Sequence, residues 1–493
     1  MLSHASSARM TRLGSAVLAL ATVAPYAGIA ITEGHRHHEE GALSSGSPAR
    51  VLSTYLSDLA RNGYSPADTA LSPRMLSDLT LHWALNTGSI ISDQPAVANS
   101  VVYFGTWSGY EYAVSTSSGS VIWRTYLGRT VTPIRDHCSP STVGVASSAT
   151  VVQIGTSSEV ITGTGNGEIA ALNAVTGRIL WTTRVAPRIG GFVWSSPAVF
   201  GKSAYIGVSS LGDCPLVPGQ LVMLSLKSGR VTHAFTMALP RDCSGDGIWS
   251  SPAIDTQRRA LFVTTGNANT SRGLNCYSPF GDSVLELSTS TLQVKGHWHV
   301  PRSLQFRDAD FGATPTLFTA MIGRHLTSLV GAASKDGVFY ALRRGDLKAG
   351  PVWSAKIATA GPCPECAEGS ISSAAFDGAT LYVAGGKTVI AGKRCRGSVR
   401  ALDPATGRMR WADCLYDPVL AAVTETPGVI YVDYGPELNA VSSSNGQVIF
   451  KFFDPNAFAD FYGPVGASGD TLYVGNADGY LRAFSPGAAS QGA

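Results

Sequence analysis

The sequence predicts an all-β fold: an eight-bladed β-propeller of four-stranded antiparallel blades, its ring closed by a strand from the N-terminal side. Three observations predict it. Of the 493 residues, 54 are Gly and only 14% are charged, a composition suited to short apolar strands joined by many turns. A strand–turn–strand phrase ending in an aromatic recurs along most of the chain, in units of roughly 50 residues. The last copy of that phrase lacks its second strand, and an orphan match to the missing strand lies near the beginning.

Taken in chain order, residues 1–31 read as a signal peptide or N-terminal anchor. Arg9 and Arg12 precede an apolar run from Leu13 to Ile31, broken by Pro25 and Gly28. Small residues between Ala24 and Ala30 offer a cleavage site; an uncleaved anchor is the alternative. No Cys follows directly, which argues against a lipid-anchored Cys. Residues 32–50, containing HRHHEEGALSSGSP, read as a flexible linker whose histidines are either a solvated tether or metal donors. The chain is thus expected outside the cytoplasm, secreted or in the cell envelope.

Residues 51–487 carry the ring. The recurring phrase is YAVSTSSGSVIW (112–123), AALNAVTGRILW (170–181), VMLSLKSGRVTH (222–233) and LELSTSTLQVKGHW (285–298). It continues as YALRRGDLKAGPVW (340–353), RALDPATGRMRW (400–411) and NAVSSSNGQVIF (439–450). RAFSPG (482–487) is the truncated eighth copy, and LTLHWAL (79–85) is its expected outer strand. Closing the ring this way removes exposed sheet edges. The aromatic then falls at Trp83, Trp123, Trp181, His233, Trp298, Trp353, Trp411 and Phe450, where a large ring fills the wedge between blades. An inner pair of strands precedes each phrase, as in SSPAVFGKSAYIGV (195–208) and SPAIDTQRRALFVTT (251–265). Helical periodicity is sustained nowhere, Val51 to Asn62 being the one candidate. Residues 488–493 are left as a disordered tail.

With a net charge of +3, nothing in the composition points to a nucleic-acid surface, and no nucleic-acid partner is expected. Eight cysteines (Cys138, Cys214, Cys243, Cys276, Cys363, Cys366, Cys395 and Cys414) in an exported chain favour disulfides, with pairing open. CPEC (363–366) is either a local bridge or half of a metal site. With no second CxxC, zinc is the weaker reading. No His follows Cys366, so the covalent c-type haem motif is absent.

In a propeller, chemistry collects on the loops that lead into the innermost strands. VWSSPAVF (193–200) and IWSSPAID (248–255) are near-repeats, but only the second runs on to VTTGN, ending at Asn267. FRDADFGATPT (306–316) places Asp308 and Asp310 beside an innermost strand, and SKDGVFYAL (334–342) brings Lys335 to a turn.

These segments, with NGYSPADTALSP (62–73), resemble the quinoprotein alcohol dehydrogenases, closest to the polyvinyl-alcohol-dehydrogenase-like branch, over about residues 60–487. The resemblance implies pyrroloquinoline quinone (PQQ) stacked on Trp249, Ca²⁺ held by Asn267, Asp310 and Asp213, Asp310 as the catalytic base, and Lys335 on the quinone oxygens. It implies a small or polymeric alcohol as substrate and a separate electron acceptor. This chain departs from the family's pattern at three places. Asp213, one methylene shorter than the usual Glu, is the acid in the preceding blade; no two cysteines are adjacent; Ala309 stands where an aromatic commonly precedes the catalytic Asp. Each residue also has a structural reading. Trp249 is an inter-blade filler like Trp194, Asn267 caps a turn, Asp308 and Asp310 are exposed charges, and Lys335-Asp336-Gly337 is a β-turn. A catalytically silent propeller binding an envelope protein is the competing function.

Overall fold

The computed structural model describes residues 49–131, 140–212, 215–270, 275–306, 308–456 and 459–487. It is an eight-bladed β-propeller of four-stranded antiparallel sheets. Blade 1 is Ala96–Ala98, Val101–Gly105, Tyr110–Ser115 and Val121–Tyr126. Blade 4, which carries most of the site below, is Ala253–Asp255, Ala260–Thr264, Ser283–Ser288 and Val294–His299. Blade 8 combines Gly466–Ser468, Thr471–Gly475 and Tyr480–Pro486 with Leu79–Asn86. Leu79 pairs with Pro486 and Asn86 with Tyr480, so the orphan strand closes the ring as expected.

The apolar core lies between blades rather than within one. Tyr205, Leu221 and Met223 of blade 3, for example, pack on Ile254, Leu261, Val263 and Leu285 of blade 4. The outer-strand tryptophans tie most of these interfaces. Trp123 Nε1 donates to the Ala174 carbonyl of the next blade at 2.9 Å, and Trp353 Nε1 to that of Pro404 at 3.0 Å. The ring of Trp123 lies over Gly177, whose φ is +68° and where a Cβ would come within 2.6 Å of the indole. That explains why the turn glycine and the aromatic recur together.

Small hydroxyl residues line the axis and link the blades. The Ser148 amide donates to Ser196 Oγ (3.0 Å), Ser196 to Ser251 Oγ (2.8 Å), Ser251 to Thr314 Oγ1 (3.0 Å), and Thr314 to Ser373 Oγ (2.9 Å). The SSPA phrase is repeated because each copy contributes one link of this belt.

One feature differs from expectation. Val51 to Asn62 is not helical: Arg50–Ser53 is a strand on blade 2, and the following residues enter the axis as turns. The cause is tertiary. The carbonyls of Leu59, Ala60, Asn62 and Gly63 accept amides of Ile254, Leu317, Phe376 and Glu425, one from each of four successive blades. Arg61, fully buried, donates to the carbonyls of Pro197 and Pro252, both at 3.0 Å. The cysteines pair as the sequence favours: of the two readings of CPEC the local bridge holds, Cys363–Cys366, and Cys243–Cys276 and Cys395–Cys414 are also disulfides. Cys138, Cys214 and Asp213 lie outside the described residues. Among the described residues, no helix is long and apolar enough to cross a membrane.

Candidate functional site

Trp249 stands just ahead of the innermost strand of blade 4. Its indole reaches across to blade 5: a Cβ on Gly312 would lie 2.1 Å from its Cη2, and 2.7 Å from Ile371 of blade 6. Gly312 and Ile371 are the positional counterparts of Trp249 in those blades, two residues ahead of the belt residues Thr314 and Ser373. The ring therefore spans part of the channel mouth, which only a glycine at 312 permits. Trp194 behaves differently. Its Nε1 donates to the carbonyls of Ser210 (3.2 Å) and Leu211 (3.1 Å) of its own blade, and its ring packs against Phe192 and Trp107. The two near-repeats thus place their tryptophans differently: Trp194 donates within its own blade and packs on Trp107 of blade 1, whereas Trp249 lies over Gly312 of the following blade.

Lys335 sits in a real turn. The Gly337 amide donates to the Ser334 carbonyl at 2.9 Å, with φ +78° at Gly337. That turn aims the side chain inward: Nζ lies 3.0 Å from Asp310 Oδ2 and 3.2 Å from Asp308 Oδ2. The Lys335 amide also donates to the Asp310 carbonyl at 3.0 Å. Burial opposes the ammonium, but Asp310 and Asp308 outweigh it and hold Lys335 above its usual range. Asp310 is buried, 5% exposed, so it is no surface loop charge; the Asp308 carboxyl is part-exposed. Asp310 also abuts the loop of Asn267, since a Cβ on Gly266 would sit 3.6 Å from its Cβ.

Asn267 follows the second strand of blade 4. Its backbone carbonyl accepts the Asp246 amide at 2.9 Å, and its Nδ2 donates to Asn269 Oδ1 at 3.3 Å. The loop is braced by a small sheet, Cys243–Gly245 with Ala268–Thr270 and Asn275–Cys276, which the Cys243–Cys276 disulfide crosslinks. Trp249, Asn267, Asp310 and Lys335 therefore line one mouth of the channel. Asp213 lies outside the described residues.

Two acids at this mouth escaped the sequence reading. Asp246 and Asp282 are buried, with φ of +52° and +48°. Burial pushes Asp246 up to about 6, against the Ser278 hydroxyl that donates to it. Burial, then the Asp310, Asp246 and Asp336 carboxylates, push Asp282 up to about 9. The available signal was local: Gly245-Asp246-Gly247 and Gly281-Asp282 set acids beside glycines, in backbone that the left-handed region favours.

Ring and closure together are those of an eight-bladed β-propeller. The structure is similar to the quinohemoprotein alcohol dehydrogenase from Comamonas testosteroni, with TM-score 0.69 over 90% of this chain and 81% of that one, at 15% identity. Residues 70–293 and 325–490 match the family described as outer membrane protein assembly factor BamB, and the chain belongs to that family. Two curated relatives are polyvinylalcohol dehydrogenases. The one from Pseudomonas sp is 24% identical, matching 76% of this chain. The one from Sphingopyxis sp. (strain 113P3) is also 24% identical, matching 79%. The match spans 63% and 65% of those relatives' own lengths.

Proposed function

We propose that the chain is an exported dehydrogenase that binds PQQ and Ca²⁺ and oxidises an alcohol. The observation that carries this reading is the Lys335–Asp310 ion pair on the same mouth as the Trp249 indole. The residues fit the groups. The indole is a broad apolar platform bedded on Gly312, suited to a flat tricyclic ring. Asn267 and Asp310 offer the oxygen donors that a hard cation takes, and Asp213 is the third candidate ligand. When bound, the quinone is the hydride acceptor and the calcium ion polarises its reacting carbonyl. Asp310 takes the hydroxyl proton of the alcohol on a carboxylate oxygen. Lys335 fixes that carboxylate through Nζ, which also holds Asp308, and directs its one remaining N–H donor at negative charge developing nearby. Trp249 closes one side of the site to water.

The names of the two relatives support an alcohol, small or polymeric, as substrate. With no Cys-x-x-Cys-His in the sequence, electrons leave to a separate acceptor. The leader and the three disulfides support a secreted or cell-envelope location. A second reading, a non-catalytic propeller that binds an envelope protein, is favoured by the description of the matched family.

Reconstitution with PQQ and Ca²⁺ separates the two, read by cofactor absorbance and by dye reduction with alcohols. The Asp310→Asn variant should keep cofactor binding and lose turnover by about 100-fold or more. Unchanged turnover removes Asp310 as the base. Absence of binding at micromolar PQQ decides for the scaffold.

A further inference from the structure

We infer that blade 4 contains a second cation site, beneath Asn267, in which the carboxylates of Asp282 and Asp246 hold a hard divalent ion of calcium type. The site goes beyond the proposed dehydrogenase, because it needs neither the quinone nor the Lys335–Asp310 pair.

A cavity of about 20 Å³ lies there, lined by Asn267, Cys276, Ser278, Asp282, Gln305 and Phe306. That volume takes one water-sized occupant. Asp282, 6% exposed, faces it, and its Oδ1 has no hydrogen-bond partner. Asp246, 0% exposed, also has an unpartnered Oδ1, while its Oδ2 accepts the Ser278 hydroxyl. Its carboxylate lies against the loop that carries Asp282, since a Cβ on Gly281 would sit 2.7 Å from Asp246 Oδ1. Among the described residues, neither acid has an ion-pair partner.

The other donors are also oxygens. Gln305 spends its amide nitrogen on the Val300 carbonyl at 2.9 Å, and Asn267 spends its own on Asn269. Each amide oxygen is thereby left as an acceptor. With Asn267 left to the ion at the quinone mouth, two carboxylates, the Gln305 amide oxygen and a hydroxyl form a hard donor set that suits Ca²⁺. Cys276 adds no thiolate, because it is bonded to Cys243. Asp282 lines this small cavity and Asp246 abuts two of its lining residues, Ser278 and Gly281; two buried carboxylates so placed are costly alone, and a divalent ion between them neutralises both.

The test uses the full chain without quinone, stripped with EDTA and titrated with CaCl₂, read by thermal unfolding. Calcium should raise the melting temperature saturably by several degrees. Asp282→Asn should abolish that rise, yet melt at or above the wild type in EDTA, because an orphan carboxylate has gone; a misfolded variant would melt lower in both buffers. Asp246→Asn should weaken the calcium midpoint at least tenfold, and Asp310→Asn should keep it. No rise in the wild type at millimolar calcium means the cavity holds only water and overturns the site. A rise lost in Asp310→Asn but kept in Asp282→Asn puts the ion at the quinone mouth. That result overturns this inference and leaves the proposed dehydrogenase standing. Failed PQQ binding with an intact calcium rise does the reverse.

Discussion

Glu111 occupies a position that the other blades keep apolar. It pairs with Gly105, the last residue of the second strand of blade 1. The equivalent pairings place Ile169, Leu221, Val284, Phe339, Val399, Leu438 and Leu481 there. Both Glu111 oxygens are buried without a hydrogen bond. Burial, then the Asp93 carboxylate, hold Glu111 well above its usual range, and burial pushes Asp93 up to about 8. Both folded values exceed the unfolded ones, which lie near about 4. Their contribution to stability is therefore complete below about pH 4 and is lost as pH rises, that of Asp93 through about 8 and that of Glu111 through its own raised value. Denaturant unfolding should show the wild type losing stability between pH 5 and pH 8. Glu111→Leu should flatten that slope and stabilise the fold at pH 8 by about 1–3 kcal/mol. A variant less stable than wild type at pH 8 would refute the assignment. Such residues were invisible in the sequence because a repeat reading finds what recurs. Glu111, Asp246 and Asp282 are exceptions to the repeat. Trp249 and Lys335 were legible because their segments resemble a known family, and Asp310 for the same reason.

At the scale of the element, the outer-strand tryptophan was legible because its cause repeats. Neighbouring sheets diverge with radius, and the same wedge must be filled at each interface. The hydrogen bond it makes was not legible. Trp83, Trp181 and Trp411 donate to the next blade as Trp123 and Trp353 do. His233 and Phe450 stand at two interfaces without an indole. Trp353 is 9% exposed, stacks on Phe339 and would meet a Cβ at Gly407 within 2.4 Å. Trp353→Ala should cost about 3–5 kcal/mol in denaturant unfolding, from lost burial and the cavity left behind. Trp353→Phe keeps a ring but leaves the Pro404 carbonyl without its donor, and should cost about 1–3 kcal/mol. Equal losses would mean the carbonyl link, not the ring, holds the interface. The small sheet bracing the Asn267 loop escaped the sequence for the opposite reason: it occurs once, as an insertion at the mouth, and its register rests on the Cys243–Cys276 link.

The whole ring depends on one stretch of chain before blade 1, which performs two separable tasks. Residues 54–65 fill the axis, where Arg61 and four backbone carbonyls join the innermost strands of several blades. Leu79–Asn86 supplies the outer strand of blade 8. The second task was legible from the truncated last repeat. The first was not, because an axial plug is held by backbone groups and leaves no periodic side-chain pattern. The two tasks predict different failures. Removing residues 49–76 strips amide partners from four innermost strands but leaves the outer clasp. That chain should stay in the wild type's oligomeric state and unfold at lower denaturant. Extending the deletion through Asn86 bares the edge of Tyr480–Pro486 and leaves the blade 8–blade 1 interface without Trp83 and Leu85. An open, apolar-backed strand edge recruits another edge. The longer deletion should therefore self-associate, seen as a shift to larger species in size-exclusion chromatography with light scattering. Adding a peptide of residues 79–86 should reverse that shift by restoring the missing strand. If the longer deletion keeps the size of the shorter one, or the peptide leaves it unchanged, the clasp is not what keeps the ring from pairing with its neighbours.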